Sequence, residues 1–336
     1  MDFVRSLTAI AVATATALTF GAPARAQTTE LKVSHFLPPN HTFQKAMEAW
    51  GEQLEKESGG KLKLRIYPAG QLGGGPNRQF DAARNGITDV AISLHGATPG
   101  RYATTELVSL PFAHPSAGAN SAVTSKRLTE LAPKYLAKEH EGLKILWMAV
   151  TPPLMFHSKS KIQSVDDFKG LKVRYAGTQF KHLIDSLGAV PLAVPPQETQ
   201  DALAKGIVDA ATFPYEGAAS FDIGTVAKNT LEPGVSSASF AVVMNPAKYE
   251  SLSPELKALI DKTTGPAAAE KFGKMWDEAE VSGKKNLQSK GVEITVMPPA
   301  ELAKMKKMFA PQIDEAVVQV EKKGKPGREF FEAYSK

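Results

Sequence analysis

The strongest constraint on the fold is an alternation of strand patterns and helix patterns that begins at Leu31. The apolar strand segment 31–36 is followed by apolar residues at helical spacing, namely Phe43, Ala46, Met47, Trp50 and Leu54. Period-two alternation over 61–67 and an apolar run over 90–94 predict two more strands, with a short helix over 79–85 between them. This repeated order predicts an α/β protein with mainly parallel sheets.

A second α/β series follows Thr151-Pro-Pro153. It has predicted strands over 171–175, 190–194 and 208–212, a helix that contains Phe180, and a helix over 197–205. Later elements are predicted as a strand over 236–244, helical sequence over 254–290, a strand over 292–296 and a helix over 305–320. Gly265-Pro266 interrupts the long helical sequence, and Pro311 could break the last helix, because an internal proline removes a hydrogen bond.

The N-terminus has the features of an export signal: Arg5, an apolar run over 7–20, and Ala24-Arg25-Ala26 as a cleavage pattern. A short membrane anchor is the alternative, but about 14 apolar residues are fewer than the roughly 20 that span a bilayer. We therefore expect a cleaved signal peptide over 1–26 and a protein in the periplasm. No later apolar run is long enough to cross a membrane, so we expect a soluble mature protein.

The mature length of about 310 residues exceeds the size at which single cores usually divide into two domains. We predict lobe I over 27–150, with 240–282 returning to it, and lobe II over 151–239, with 283–336 returning to it. The first hinge is expected at Thr151-Pro-Pro153, because proline fixes the direction in which the chain leaves the strand.

Composition excludes several classes of function. Cysteine is absent, which removes disulfides, thiolate nucleophiles and zinc-thiolate sites. The net charge of +5 is spread among apolar residues without a basic block, so we expect no nucleic-acid partner. The seven histidines show neither an H-E-x-x-H motif nor metal-binding helical spacing, so we expect no metal.

Catalytic motifs are also missing. The loop from Gly70 to Gly75 has P-loop spacing, but Pro76 and Asn77 stand where lysine and Ser/Thr are required, so it reads as a turn. No G-x-S-x-G elbow occurs. We expect no catalytic residues, no cofactor and no enzymatic activity. An exported hydrolase and an exported polyanion-binding protein remain as alternatives from other classes.

Arg174 lies inside a strand pattern close to the loop that follows it. An arginine there needs an anionic partner, and its planar fork can hold a carboxylate through two hydrogen bonds of about 1.5 to 3 kcal/mol each. The partner is either a ligand carboxylate or an internal Asp or Glu, and the pattern leaves both open. His35 and His95, at strand ends where ligand-facing loops gather, are further candidates beside ordinary core or loop roles.

Several segments together resemble the solute-binding proteins of tripartite ATP-independent periplasmic (TRAP) transporters, the DctP-like family. They are Tyr67-Pro-Ala-Gly-Gln-Leu-Gly73, Leu110-Pro-Phe112, Asp167-Phe-Lys-Gly-Leu-Lys-Val-Arg174 and Gln197-Glu-Thr-Gln-Asp-Ala-Leu-Ala-Lys-Gly-Ile-Val-Asp209. The resemblance extends from Leu31 to the C-terminal helix. It implies a two-lobed periplasmic-binding-protein fold with hinge strands and a long bracing helix that would match 254–290. It further implies that Arg174 pairs with a ligand carboxylate and that DctQ-like and DctM-like membrane subunits receive the ligand.

The resemblance also bears on the ligand. Sialic-acid-binding members have a second arginine and an asparagine where this chain has Leu154 and Phe213. A hydroxyl-rich sugar acid would be buried here without partners, which is costly. We therefore expect an aromatic or apolar 2-oxo, 2-hydroxy or simple carboxylic acid. A C4-dicarboxylate is the alternative within the family.

The remaining candidate site residues follow from this expectation. Phe213, Tyr215 and Phe156 are predicted to form an apolar wall, although core packing is the alternative role of each. Gly177 and Thr178, just after the Arg174 strand, are assigned to the same site. The lobes are expected to close around the ligand about Thr151 and Ser236.

Overall fold

The computed structural model describes residues 28–72, 74–113, 120–175 and 177–336. The predicted signal peptide over 1–26 lies outside these residues. In the part of the chain so described, none of the helices combines the length and the apolar character that a membrane span requires.

The described residues form strands and helices in alternation along both halves of the chain. The strands are β1 (Thr29–His35), β2 (Leu62–Tyr67), β3 (Val90–Leu94), β4 (Lys144–Val150), β5 (Met155–Ser158), β6 (Lys172–Tyr175), β7 (Val190–Ala193), β8 (Ala210–Phe213), β9 (Asn229–Glu232), β10 (Ser239–Met244) and β11 (Glu293–Val296). The helices are α1 (Thr42–Glu57), α2 (Gln79–Arg84), α3 (Ser121–Tyr135), α4 (Thr178–Ser186), α5 (Thr199–Ala204), α6 (Tyr215–Ser220), α7 (Pro246–Glu250), α8 (Pro254–Thr263), α9 (Pro266–Ser289), α10 (Pro299–Glu321) and α11 (Gly327–Ser335).

Two sheets form the centres of two lobes. The lobe I sheet has the order β2-β1-β3-β10-β4, and the lobe II sheet has the order β11-β9-β5-β8-β6-β7. In each sheet one strand arrives from the other lobe, β10 in lobe I and β5 in lobe II, and pairs antiparallel with both of its neighbours. All other strands of the same sheet run in one direction. The predicted two-lobed α/β fold with mainly parallel sheets is therefore confirmed.

The two lobes repeat one unit of structure. In lobe I the Asp89 carboxylate accepts a hydrogen bond of 2.8 Å from the Lys32 amide in the middle of β1. In lobe II the Asp209 carboxylate accepts the same bond, also 2.8 Å, from the Lys172 amide at the start of β6. By this correspondence Arg174 in β6 occupies the position that Ser34 occupies in β1.

Two chain segments cross between the lobes side by side, one from β4 to β5 and one from β9 to β10. The Thr151 amide donates to the Ala238 carbonyl at 2.9 Å, the Ala238 amide donates to Thr151 Oγ1 at 2.9 Å, and the Leu154 amide donates to the Ser236 carbonyl at 2.9 Å. These bonds join the crossings at the positions where the hinge was predicted.

A long helix, α9, contacts both lobes. The Asp277 carboxylate accepts hydrogen bonds from the Ser121 and Ala122 amides at the start of α3, at 2.9 and 3.1 Å. The Glu280 carboxylate accepts from the Tyr215 and Glu216 amides at the start of α6. Each carboxylate satisfies helix N-terminal amides that lack an intrahelical partner. The predicted bracing helix is thus present as α9.

Two prolines behave differently in the C-terminal third of the chain. The helical sequence over 254–290 does divide at Gly265, whose φ of 81° is suited to glycine, so the predicted interruption is confirmed. The predicted break at Pro311 is wrong, because α10 continues through it. Met305 and Phe309 before the proline and Val317 after it are all buried, and this packing keeps the two halves of α10 in line despite one missing hydrogen bond.

The last helix lies on lobe I. Arg127 Nη1 on α3 donates to the Tyr334 carbonyl at 3.1 Å, and the rings of Tyr135 and Phe330 are 5.9 Å apart. The predicted assignment of 283–336 to lobe II is therefore corrected for α11. The apolar face that contains Phe330 and Tyr334 is buried against α3. The remaining domain limits stay predictions.

Candidate ligand-binding site

A cavity of about 40 Å³ lies between the two lobes, beside the crossing segments and α9. Most of the side chains in its wall are apolar, and they come from both lobes. The wall consists of Phe36, Leu37, His41, Leu94, Thr151, Leu154, Arg174, Pro196, Thr212, Phe213, Pro214, Gly217, Phe221, Ala238, Phe240 and Trp276. Among the described residues, no group of three or more His, Asp or Glu side chains is placed to hold a metal ion.

Arg174 is the one arginine or lysine in this wall, and 2% of its surface is exposed. Nε donates to the Val194 carbonyl and Nη1 donates to the Thr212 carbonyl, each at 3.0 Å. Burial lowers the pKa of the Arg174 guanidinium to about 9, which still leaves it charged at neutral pH. No Asp or Glu in the described part of the chain forms an ion pair with it, so the internal salt bridge considered as an alternative is not formed there.

The aromatic part of the wall begins directly at the arginine. The Arg174 guanidinium carbon lies 4.4 Å from the centre of the Phe213 ring, and the Phe213 ring lies 5.6 Å from that of Phe221. Across the cavity, Phe240 stacks on Phe36 at 6.3 Å and meets Trp276 edge to face at 5.7 Å. These rings offer faces and edges to a flat apolar ligand.

The structure brings three of the predicted site residues together in this wall: Arg174, Leu154 and Phe213. Phe156 is not in the wall, because it packs against Phe168 in the core of lobe II, with ring centres 4.8 Å apart. Tyr215 is not in the wall either. Its hydroxyl donates to Glu232 at 2.8 Å, on the side of α6 that faces a different groove.

The two predicted histidines are core residues. His35 Nε2 makes a hydrogen bond of 2.8 Å with Gln44, and burial lowers the pKa of His35 to about 4. His95 contacts Ser239 through Nδ1 and His140 through Nε2, at 3.0 and 2.9 Å, and burial also lowers its pKa. Both rings are fully buried in lobe I, and neither lines the cavity.

Gly177 and Thr178 lie where the lobes touch, outside the cavity wall. The Thr178 amide donates to Glu106 Oε1 of lobe I at 3.4 Å. A Cβ atom on Gly177 would lie 3.2 Å from the Gly96 Cα atom, which explains why this position suits glycine. With Phe156, Tyr215, His35 and His95, these two positions are therefore removed from the candidate wall.

Two buried glutamates join the lobes reciprocally. Glu216 of lobe II accepts hydrogen bonds from the Thr42 amide and hydroxyl at the start of α1 in lobe I, both at 2.9 Å. Glu106 of lobe I accepts from the Thr178 amide at the start of α4 in lobe II. Helix N-termini favour negative charge. Both contacts require the lobes to be closed, so the structure represents the closed form.

Sequence reasoning missed most of the wall. His41, which caps the start of α1, Phe240 in β10 and Trp276 in α9 are far apart in sequence and meet only in the folded protein. Trp276 belongs to an apolar helical stripe that reads as core packing. Thr151 was recognised as a hinge residue, but its place in the wall had no sequence signal of its own.

A two-lobed fold with a buried cation in an interlobe cavity, unpaired with any acidic residue among those described, has the architecture of solute-binding proteins. The family model of bacterial extracellular solute-binding proteins, family 7 (DctP), matches residues 33–319, and the chain belongs to this family. Members are periplasmic solute-binding proteins of transporters, and their role is non-enzymatic. The resemblance to TRAP solute-binding proteins is thereby confirmed.

Three solved structures show the similarity in detail. A TRAP solute-binding protein from Rhodoferax ferrireducens, in complex with copurified benzoate, has 29% identity and a TM-score of 0.87 over 92% of this chain and 97% of that one. A marine metagenome protein specific for aromatic acids, with 3-hydroxybenzoate, has 31% identity and a TM-score of 0.87 over 92% and 97%. A Bordetella bronchiseptica protein with bound mandelate has 27% identity and a TM-score of 0.84 over 91% and 98%.

Curated relatives are more distant in sequence. The outer membrane transporter protein TsaT of Comamonas testosteroni is 24% identical over 99% of this chain and 98% of its own length. The C4-dicarboxylate-binding periplasmic protein DctP of Rhodobacter capsulatus is 25% identical over 94% and 95%. The chain thus aligns with these relatives over nearly their whole length.

Proposed function

We propose that this protein captures an aromatic monocarboxylate in the periplasm, after removal of its signal peptide, and delivers it to DctQ-like and DctM-like membrane subunits. The observation that supports this most directly is the charged, buried Arg174, which has no acidic partner in the described part of the chain and lies beside an aromatic wall. A ligand carboxylate would neutralise the guanidinium, and the ring of the ligand would replace water against Phe213, Phe240 and Trp276.

The similar structures support an aromatic ligand. Benzoate, 3-hydroxybenzoate and mandelate, the ligands of the three proteins described above, share one carboxylate and one aromatic ring. Such a ligand matches the composition of this wall, which has one cationic side chain and several rings. The C4-dicarboxylate alternative fits less well, because the wall provides no second lysine or arginine for a second carboxylate.

Ligand binding by the purified wild-type protein tests this proposal. Any copurified ligand is first removed by unfolding and refolding. We expect benzoate and mandelate to raise the melting temperature, because a ligand that binds only the folded state stabilises it, while succinate has little effect. Thermal shift identifies the ligands, and calorimetry gives their affinities. A clear preference for succinate would contradict the proposal.

Binding should weaken as the pH rises, because of Glu106. Burial raises the pKa of Glu106 to about 7 in the closed form, whereas an open form would expose the carboxyl and return its pKa towards the ordinary 4.5. The closed form therefore holds the proton more tightly, and this contribution to closure is lost as the pH rises from about 4.5 through 7. We expect benzoate affinity to fall at least about threefold between pH 5.5 and pH 8, measured by calorimetry.

Glu106→Gln is the control for this pH dependence. Glutamine keeps an oxygen that can accept from the Thr178 amide, but it cannot titrate. The pH profile of the variant should be flatter than that of the wild type over the same interval. Other titrating groups, including Glu139 beside Glu106 and His41 at the cavity, remain in both proteins and cancel in the comparison. Identical profiles would show that Glu106 is not the responsible group.

A further inference from the structure

A second charge, without a cationic partner among the described residues, lies beside the cavity. We call His41 and Trp276 the far end of the wall, because His41 is connected to Arg174 only through the successive ring contacts of Phe221 and Phe213. The Glu216 carboxylate contacts both far-end side chains. Glu216 Oε2 is 3.3 Å from His41 Nε2 and 3.1 Å from Trp276 Nε1. Only 5% of the surface of Glu216 is exposed, so water does not screen its charge from the cavity.

Both carboxyl oxygens of Glu216 accept hydrogen bonds, an arrangement that favours a carboxylate over a carboxylic acid. Oε1 accepts from the Thr42 amide at 2.9 Å, and Oε2 accepts from the indole of Trp276 at 3.1 Å. Both donors are N–H groups that can only donate, so both oxygens act as acceptors. The hydroxyls of Thr42 and Ser220 add two further contacts to Oε1, at 2.9 and 3.1 Å.

His41 does not neutralise this charge. Its Nδ1 accepts from the Phe43 amide at 3.1 Å, which places the proton of the neutral ring on Nε2, facing Glu216. Burial lowers the pKa of His41, so the ring is uncharged at neutral pH. No lysine or arginine among the described residues forms an ion pair with Glu216. The far end of the cavity is therefore backed by a negative charge.

Neither His41 nor Trp276 has a side-chain hydrogen-bond donor left for a ligand. The Nε2 proton of His41 and the Nε1 proton of Trp276 are both directed at Glu216. Along the wall towards Arg174 lie Phe221, whose ring is 6.4 Å from that of His41, and then Phe213. A carboxylate at the far end would meet a like charge and no donor, whereas a carboxylate at Arg174 meets a free cation.

We propose that Glu216 is a specificity-determining residue, which excludes ligands with a second carboxylate and so restricts the site to monocarboxylates. This inference rests on the proposed function. It assigns the two ends of the cavity opposite electrostatic roles: Arg174 attracts one carboxylate, and Glu216, through His41 and Trp276, repels another.

The wild-type protein tests this with ligand pairs of equal shape. A nitro group has nearly the shape of a carboxylate but no net charge. Calorimetry should show that 4-nitrobenzoate binds at least about tenfold more tightly than terephthalate, and 3-nitrobenzoate more tightly than isophthalate. Equal rejection of the nitro and carboxylate members of both pairs would mean that exclusion is steric, and would overturn the proposal.

The variant Glu216→Gln tests the residue itself. Glutamine has the same size without the charge, so we expect the ratio of nitro to carboxylate affinity to fall at least about fivefold at one of the two ring positions. Glu106→Gln is the matched control, because it also alters a carboxylate that joins the lobes, but outside the cavity wall. It should change both affinities together and leave the ratio as it is in the wild type. An unchanged ratio in Glu216→Gln would overturn the proposal.

If the proposed function itself is wrong, the binding measurements differ from those expected if only the role of Glu216 is wrong. In that case wild-type protein does not bind benzoate at all, while it still binds some other acid. If benzoate binds and the nitro and carboxylate partners are not distinguished, the proposed function stands and the role of Glu216 is excluded. The wild-type comparison stands even if the Glu216→Gln variant does not fold.

Discussion

Arg174→Ala should weaken benzoate binding by at least about a hundredfold in calorimetry. The guanidinium has N–H groups beyond the two that bind the Val194 and Thr212 carbonyls, and a ligand carboxylate is the anion that would use them. Two hydrogen bonds between charged groups contribute about 1.5 to 3 kcal/mol each, and 2.7 kcal/mol corresponds to about a hundredfold in affinity. The effect should appear with every carboxylate ligand.

Arg174→Lys separates charge from geometry. Lysine keeps the positive charge but not the planar fork, so its affinity for benzoate should lie between those of the wild type and Arg174→Ala. The exposed arginine variant Arg328→Ala is a control that should bind as the wild type does. If Arg174→Ala retained wild-type affinity, the guanidinium would not be the carboxylate-binding group and the proposed function would lose its main support.

The α/β alternation could be predicted because each lobe repeats local patterns. The strand over 90–94 is buried at every position and was predicted with the limits that the structure gives. The duplication of the lobes was not recognised. Gly86-Ile-Thr-Asp89 and Gly206-Ile-Val-Asp209 share only glycine, isoleucine and aspartate, and their equivalence rests on hydrogen bonds from a strand amide to the aspartate carboxylate. Such bonds fix the path of the backbone, but they leave the identity of most neighbouring side chains free.

The site was predictable only near Arg174. Phe213 could be placed because it ends β8, next to the strand of Arg174. Tyr215 could not, because Pro214 starts a helix and the two-residue alternation of the strand stops there. Glu216 and Trp276 gave no signal, since their roles depend on contacts between α6, α1 and α9. Hydrogen bonds between distant segments determine the charge at the far end of the cavity, and no local pattern encodes them.

Gly283→Ala should lower the melting temperature by about 2 to 4 °C. Gly283 lies where α9 crosses the start of α6, and a Cβ atom there would be 2.5 Å from the Tyr215 carbonyl carbon and 2.7 Å from the Glu216 amide nitrogen. Backbone atoms cannot move aside as a flexible side chain can, so the helices must separate. Overpacking of this kind costs roughly 1 to 3 kcal/mol. Calorimetric unfolding of the ligand-free protein measures the change.

The direction of this effect distinguishes close packing from helix propensity. Alanine in an exposed helix interior is more stable than glycine by about 0.5 to 1 kcal/mol, so an α9 free of α6 would be stabilised by Gly283→Ala. Ser282→Ala, at the exposed neighbouring position, is the control and should leave the melting temperature nearly unchanged or slightly raised.

Separation of α9 from α6 would also lengthen the bonds from Glu280 to the Tyr215 and Glu216 amides, and would shift Glu216 away from Trp276. We therefore expect Gly283→Ala to weaken benzoate binding as well, and a stabilised variant with unchanged affinity would show that α9 does not hold lobe II in place.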